Sequence, residues 1–157
     1  LETGKNIFNG VDNEPTPELM HYIAGLQRYT PDLISFYAPN VNSYRRLAPD
    51  ISAPINLSWG YDNRTTAFRV PDSTPDNRRV ENRFPGADAN PYLAIAASLA
   101  SGLLGLENKL QPTAPHQGTA NEENIEVARS LEEAVRRLNG SEELAHVMGD
   151  LFLRAYA

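Results

Sequence analysis

The chain is expected to be an α+β domain, because apolar patterns of helical period bracket a central stretch where the period shortens to two. Leu19, Ile23 and Leu26 recur at i, i+4 and i+7. Ile55, Leu57, Trp59 and Tyr61 then alternate with Asn56, Ser58 and Gly60, as in a half-buried strand. Ile95, Leu99, Leu103 and Leu106 return to helical spacing. With 157 residues, 41% of them hydrophobic, the chain can build one core.

Each element has its own local signals. Thr3-Gly4 and Asn9-Gly10 give the opening segment turn chemistry. Thr16 offers an N-cap with Pro17 at the first helical position, and Pro31 is expected to end that helix or begin a new turn. A strand through Tyr61, a turn at Asp62-Asn63 and a second strand through Arg69 follow, and residues 78–84 supply a third, all expected to lie antiparallel. Asn90 then caps a helix started by Pro91, whose leucine stripe should be buried while alanine, serine and glycine, including Gly102 and Gly105, allow close packing elsewhere. Residues 111–121, "QPTAPHQGTAN", read as a linker. Two acidic helices should close the chain. The first opens with a Ser130 to Glu133 capping box before Leu131, Val135 and Leu138, and the second starts at Ser141 and carries Leu144, Met148 and Leu151. The expected division is 1–110 and a helical extension at 111–157. The absence of an initiator methionine and the unfinished pattern at Ala157 suggest a piece of a longer protein.

The formal charge of -6 argues against a nucleic-acid binder, which draws affinity from a cationic surplus. The charge is uneven. Seven of the 14 basic residues (Arg45, Arg46, Arg64, Arg69, Arg78, Arg79 and Arg83) fall between positions 44 and 83, beside only five acids. All seven are arginine, the side chain suited to planar, bidentate capture of carboxylate and phosphate, so a small anionic ligand is expected. Cysteine is absent, which removes disulfides, thiolate metal sites and cysteine nucleophiles and is compatible with a cytoplasmic location. The longest uncharged apolar stretch, Pro91 to Leu106, is shorter than the roughly 20 residues of a membrane span.

The densest chemistry lies in "RRVENRFPGADANPY", 78 to 92. In a strand, Arg79, Glu81 and Arg83 share one face, with Val80 and Phe84 on the other. Such alternation also makes ordinary solvated strand faces. The functional reading is a carboxylate ligating a hard cation such as magnesium between arginines that neutralise phosphate. Arg45, Arg46, Arg64 and Arg69 could converge on the same surface, where their mutual repulsion would call for an anion. His21, His116 and His146 lie far apart, and His21 is read as structural; no Walker loop, GxGxxG or Ser-His-Asp arrangement is present.

"NSYRRL" (42–47), "APINLSWGYDNRTTAFRVP" (53–71) and "RRVENRFPGADANPYLAIAA" (78–97), in this order, resemble the C-terminal part of the glutamine synthetase catalytic domain. "GKNIF" resembles the segment that follows the family's His-x-His motif. The resemblance implies ATP-dependent joining of the glutamate γ-carboxyl to an amine or ammonia through γ-glutamyl phosphate, with Mg2+ or Mn2+. It implies that Glu81 is a metal ligand and that Arg46 and Arg83 hold glutamate. Arg64 and Arg83 would stabilise the transferred phosphoryl group, and Arg64, Arg69 and Arg79 would contact nucleotide phosphate. The parent would be a large homo-oligomeric ring with active sites between subunits, and the isolated 157-residue chain would be inactive.

Three departures from the family pattern bear on the reaction. Ammonia-using members carry a glutamate two residues before the Ala-Pro of the flap, where this chain has Ser52; relatives that ligate glutamate to larger amines such as polyamines share that loss. A nucleotide-binding lysine is replaced by Asp76. The tyrosine-containing loop used in adenylylation is absent, with "TAPHQGTAN" in its place. An organic amine or polyamine acceptor is therefore expected, against two alternatives: a glutamine synthetase using ammonia, and a noncatalytic assembly relative of the same fold.

Overall fold

A computed structural model of the chain describes residues 4–49, 51–120 and 127–156. Thr3 of the opening turn and Asn121 at the end of the expected linker lie outside these residues. The observed class is α+β, with five α-helices and a three-stranded sheet among the described residues.

Helix α1, Pro17–Tyr37, begins as expected: the Thr16 hydroxyl accepts from the Leu19 N–H at 3.3 Å, and Pro17 fixes the first turn. It does not stop at Pro31. A proline inside a helix costs roughly 3 kcal/mol or more through its missing N–H and ring clash. The turns beyond it bury Leu33, Ile34, Phe36 and Tyr37, an apolar gain large enough to carry the helix through.

Helix α2, Pro91–Glu107, is capped by Asn90, whose side-chain oxygen accepts from the Tyr92 and Leu93 N–H groups. Its buried face overturns the expectation for the leucine stripe. Ala94, Ala97, Ala100, Ser101, Gly102, Leu104 and Gly105 face inward, while Ile95 (59% exposed), Leu99 (58%) and Leu103 (47%) face outward. The reason is the close crossing of α1 and α2. A Cβ added at Gly25 would collide with the Ser101 carbonyl and lie 2.9 Å from the Gly105 backbone. One added at Gly105 would collide with the His21 carbonyl, and one at Gly102 with the Tyr22 ring. Backbone approach this close leaves no room for a side chain at Gly25, Gly102 or Gly105, so the small residues at the crossing decide which face turns inward, and Leu104 is buried with that face.

The sheet order is β1-β2-β3, with β1 at Trp59–Tyr61, β2 at Phe68–Val70 and β3 at Glu81–Asn82. Strands β2 and β3 are antiparallel, but β1 and β2 pair in parallel, contrary to the expected hairpin. The Asn63 side-chain oxygen accepts from the Thr65 N–H and hydroxyl, and the Thr66 hydroxyl donates to the Asn63 carbonyl. These bonds coil residues 62–67 into a compact loop that brings the chain back alongside β1 in the same direction. Residues 53–58 are not a strand. The Asn56 side chain takes Ser58 into a local turn and donates to the Ala120 carbonyl at 2.7 Å.

Segment 111–120 is stitched to the domain. The Trp59 indole donates to the Thr113 carbonyl, the His116 N–H donates to the Trp59 carbonyl, and Gln27 of α1 bonds both Leu57 and Thr113. His21 is structural as expected, its Nδ1 lying 2.7 Å from the Leu110 carbonyl. Helix α3, Leu131–Asn139, is capped by the Ser130 hydroxyl, while Glu133 reaches back to the Arg129 N–H. The last expected helix is two, α4 at Glu142–Met148 and α5 at Asp150–Tyr156. Gly149, at φ 92°, breaks them and resets the phase, so that Leu153 is buried and Leu151 is exposed. No helix among the described residues is long and apolar enough to cross a membrane.

Candidate functional site

The strand register builds the site. Arg69 on β2 lies opposite Glu81 on β3, so both side chains emerge on one face of the sheet. Arg69 Nη1 donates to Glu81 Oε2 at 3.0 Å, and Arg79 Nη2 lies 3.3 Å from Glu81 Oε1. The carboxylate does lie between two cations, but Arg69 takes the place expected for Arg83. One of its partners comes from the neighbouring strand, which alternation along a single strand could not reveal. Arg69 also pairs with Asp62, and that hydrogen bond holds the Asp62 carboxyl below the usual carboxylate range. Asp62 was not among the residues the sequence singles out. Its positive φ of 45° at the end of β1 turns its side chain back toward Arg69.

Arg83 continues the face and ties two loops together. Its Nη1 donates to the Thr66 carbonyl at 2.7 Å and its Nη2 to the Ser52 carbonyl at 2.9 Å. Burial and the nearby Arg69 both disfavour its charge, and Arg64 adds to that repulsion. A guanidinium has five N–H donors, so Arg83 retains capacity for an anion after these two bonds. Arg64 is exposed on the loop between β1 and β2 and acts electrostatically on both Asp62 and Arg83. Arg46, half-buried, donates through Nη2 to the carbonyl of Phe84, the residue after Arg83. Arg45 is exposed on the 3-10 turn Val41–Arg45.

Glu81, 34% exposed at its side chain, offers a hard oxygen suited to magnesium. Among the described residues no three or more His, Asp, Glu or Cys side chains gather as a metal cage. A metal held at Glu81 would need further ligands from other groups. Two clefts, of about 600 and 690 Å³, lie instead beside the exposed stripe of α2; neither is lined by Arg46, Arg64, Arg69, Glu81 or Arg83, though Arg79 borders the second. Their walls are mostly apolar, and Arg79 is the one arginine that reaches either.

All 157 residues match the family model described as "Glutamine synthetase, catalytic domain". The chain is 45% identical over 141 residues to glutamate-isopropylamine ligase from a Pseudomonas species, covering 87% of this chain and 31% of that protein. It is 37% identical over 154 residues to gamma-glutamylputrescine synthetase PuuA from Escherichia coli K12, covering 98% and 33%. It is 41% identical over 141 residues to a glutamine synthetase from Streptomyces coelicolor, covering 84% and 30%. The chain thus spans about a third of the length of these curated relatives.

Proposed function

Since this chain belongs to the glutamine synthetase catalytic-domain family, we propose that its full-length protein joins the γ-carboxyl of glutamate to an organic amine at the expense of ATP. A γ-carboxylate oxygen attacks the γ-phosphorus of ATP, ADP leaves, and γ-glutamyl phosphate forms. The amine nitrogen then attacks the acyl carbon, phosphate leaves, and the nitrogen gives up one proton. Every anion on this path carries charge that an arginine cluster can stabilise.

In this reading Arg46 and Arg83 hold glutamate, and Arg64 and Arg83 face the transferred phosphoryl group. Arg64, Arg69 and Arg79 contact nucleotide phosphate, and Glu81 is one ligand of Mg2+ or Mn2+. The metal, when bound, neutralises phosphate charge. The active protein is a cytoplasmic homo-oligomeric ring.

The observation that carries the choice of acceptor is the Ser52–Arg83 contact. Arg83 bonds the Ser52 backbone carbonyl and so ties the loop at 51–53 to the site, and the residue on that loop is a serine, without a carboxylate. An acceptor that arrives protonated, ammonium or alkylammonium alike, must lose a proton before it attacks; serine cannot take it, so the proton leaves by another group, and what the short neutral side chain changes is the room it leaves for an alkyl substituent. Two relatives named for organic amines, isopropylamine and putrescine, agree with this choice. A relative named glutamine synthetase, at 41% identity, supports the competing reading with ammonia.

The test is phosphate release by the full-length protein with ATP, magnesium and glutamate, comparing ammonium with putrescine and isopropylamine. Stimulation by an organic amine and little by ammonium is the expected result. Preference for ammonium would overturn the acceptor assignment, and no glutamate-dependent release with any amine would favour a noncatalytic relative.

A further inference from the structure

Arg46 leaves its turn facing a feature that none of the roles above uses. The turn begins at Asn40 and is locked by Ser43: the Asn40 N–H donates to the Ser43 hydroxyl at 3.0 Å, and the Ser43 N–H donates to the Asn40 carbonyl at 2.9 Å. The Arg46 N–H then closes the turn on the Ser43 carbonyl at 3.1 Å. The same Ser43 hydroxyl donates to Asp88 Oδ2 at 2.5 Å, and Asn40 Nδ2 donates to that oxygen at 3.3 Å. These two bonds, ahead of all other effects, hold the Asp88 carboxyl below its usual range. Asp88 is thus an anion bridging the turn that bears Arg46 to the loop that follows Arg83.

Gly86 supplies a second, independent observation. A Cβ built on it would collide with Asp88 Oδ1 and would lie 3.3 Å from Arg46 Nη2 and 3.4 Å from Arg46 Nε. The guanidinium therefore lies against bare backbone, in a slot that stays open because residue 86 has no side chain. Its position is fixed from three sides, by the Phe84 carbonyl, the Gly86 backbone and the turn that Asp88 anchors. Asp88 also opposes, by its charge, the burial that disfavours the Arg46 cation.

We propose that Asp88 is a positioning residue for Arg46: through Ser43 and Asn40 it sets where the guanidinium meets the carboxylate of the amino-acid substrate. This role rests on the ligase reading, in which Arg46 holds glutamate. A charged partner that does not touch substrate orients one that does, as outer-shell groups orient metal ligands. Its loss should weaken glutamate binding specifically, because ATP is held by other arginines.

The test uses the full-length protein, with steady-state kinetics and calorimetric glutamate binding. Asp88→Ala should raise the KM for glutamate about tenfold, the equivalent of one lost charge-assisted contact, and weaken glutamate binding by the same factor. The KM for ATP should stay within about twofold and kcat within about threefold, the split that marks lost ground-state binding. Asp88→Asn keeps an acceptor oxygen for Ser43 and should recover part of the loss. Ser43→Ala provides an independent variant, and combining it with Asp88→Ala should add little, because both act through one bridge. An unchanged KM for glutamate in Asp88→Ala and Ser43→Ala would overturn the proposal. So would equal losses for glutamate, ATP and kcat together with a lower Tm, which would mark a structural role only. A wild-type protein that binds no glutamate would refute the ligase reading itself, and this role with it.

Discussion

Glu81→Ala in the full-length protein is expected to lower glutamate-dependent phosphate release from ATP by about a thousandfold or more. That is what several kcal/mol of lost charge stabilisation at a metal amounts to. Two effects combine. The variant removes the carboxylate that lies between Arg69 and Arg79, and it leaves Arg79 without its acidic partner while Arg69 keeps only Asp62. Raising the magnesium concentration should recover little, because no other acidic cluster among the described residues can substitute. Folding should survive, since β3 is short and the Glu81 side chain is partly exposed. Unchanged turnover would remove Glu81 from the metal site.

The second large effect is expected for Arg83→Lys. Lysine keeps the positive charge but cannot span the Thr66 and Ser52 carbonyls with two rigidly spaced N–H groups. Loss of a preorganised donor facing developing negative charge typically costs about 10²–10³ in kcat. The loop at residues 51–53 should also exchange its amide hydrogens faster, because its bond from Arg83 through the Ser52 carbonyl is gone. A drop in kcat without faster exchange would confine Arg83 to the chemistry; faster exchange with normal kcat would confine it to the loop.

What the sequence discloses follows how local each cause is. The caps at Thr16, Asn90 and Ser130 act within one turn of chain, and each forms as read. The buried face of α2 was misread because its determinant lies on another helix. Gly25 and Gly105 bring the two backbones into contact, and Ile95, Leu99 and Leu103 are then displaced outward although they are the more hydrophobic side chains. Pro31 fails as a stop signal for a related reason, since the core contacts of the turns beyond it outweigh a local penalty. The parallel β1–β2 pair depends on side-chain bonds inside a short loop that a pattern of alternation does not register.

The site divides in the same way. The Arg79–Glu81 pair is legible from spacing, although the strand itself is only Glu81–Asn82 and Arg83 turns to the Thr66 and Ser52 carbonyls. Arg69 joins Glu81 only through the register of β2 against β3. Asp62 and Asp88 carried no signal of their own: one depends on a left-handed residue at a strand end, and the other on partners more than forty positions away. The adjacent "PGAD" contains the useful hint, a glycine two residues before an acid and just ahead of a helix cap. Only the folded chain reveals that Gly86 makes room for Arg46.

The central claim is that an acyl phosphate of glutamate forms before the amine attacks. Its most direct test is to supply the full-length protein with ATP, magnesium, glutamate and hydroxylamine, a nucleophile that traps acyl phosphates, and to measure γ-glutamyl hydroxamate beside released phosphate. The account predicts hydroxamate formation that requires both ATP and glutamate and equals the phosphate released. Phosphate release without hydroxamate, or hydroxamate formed without ATP, would contradict it.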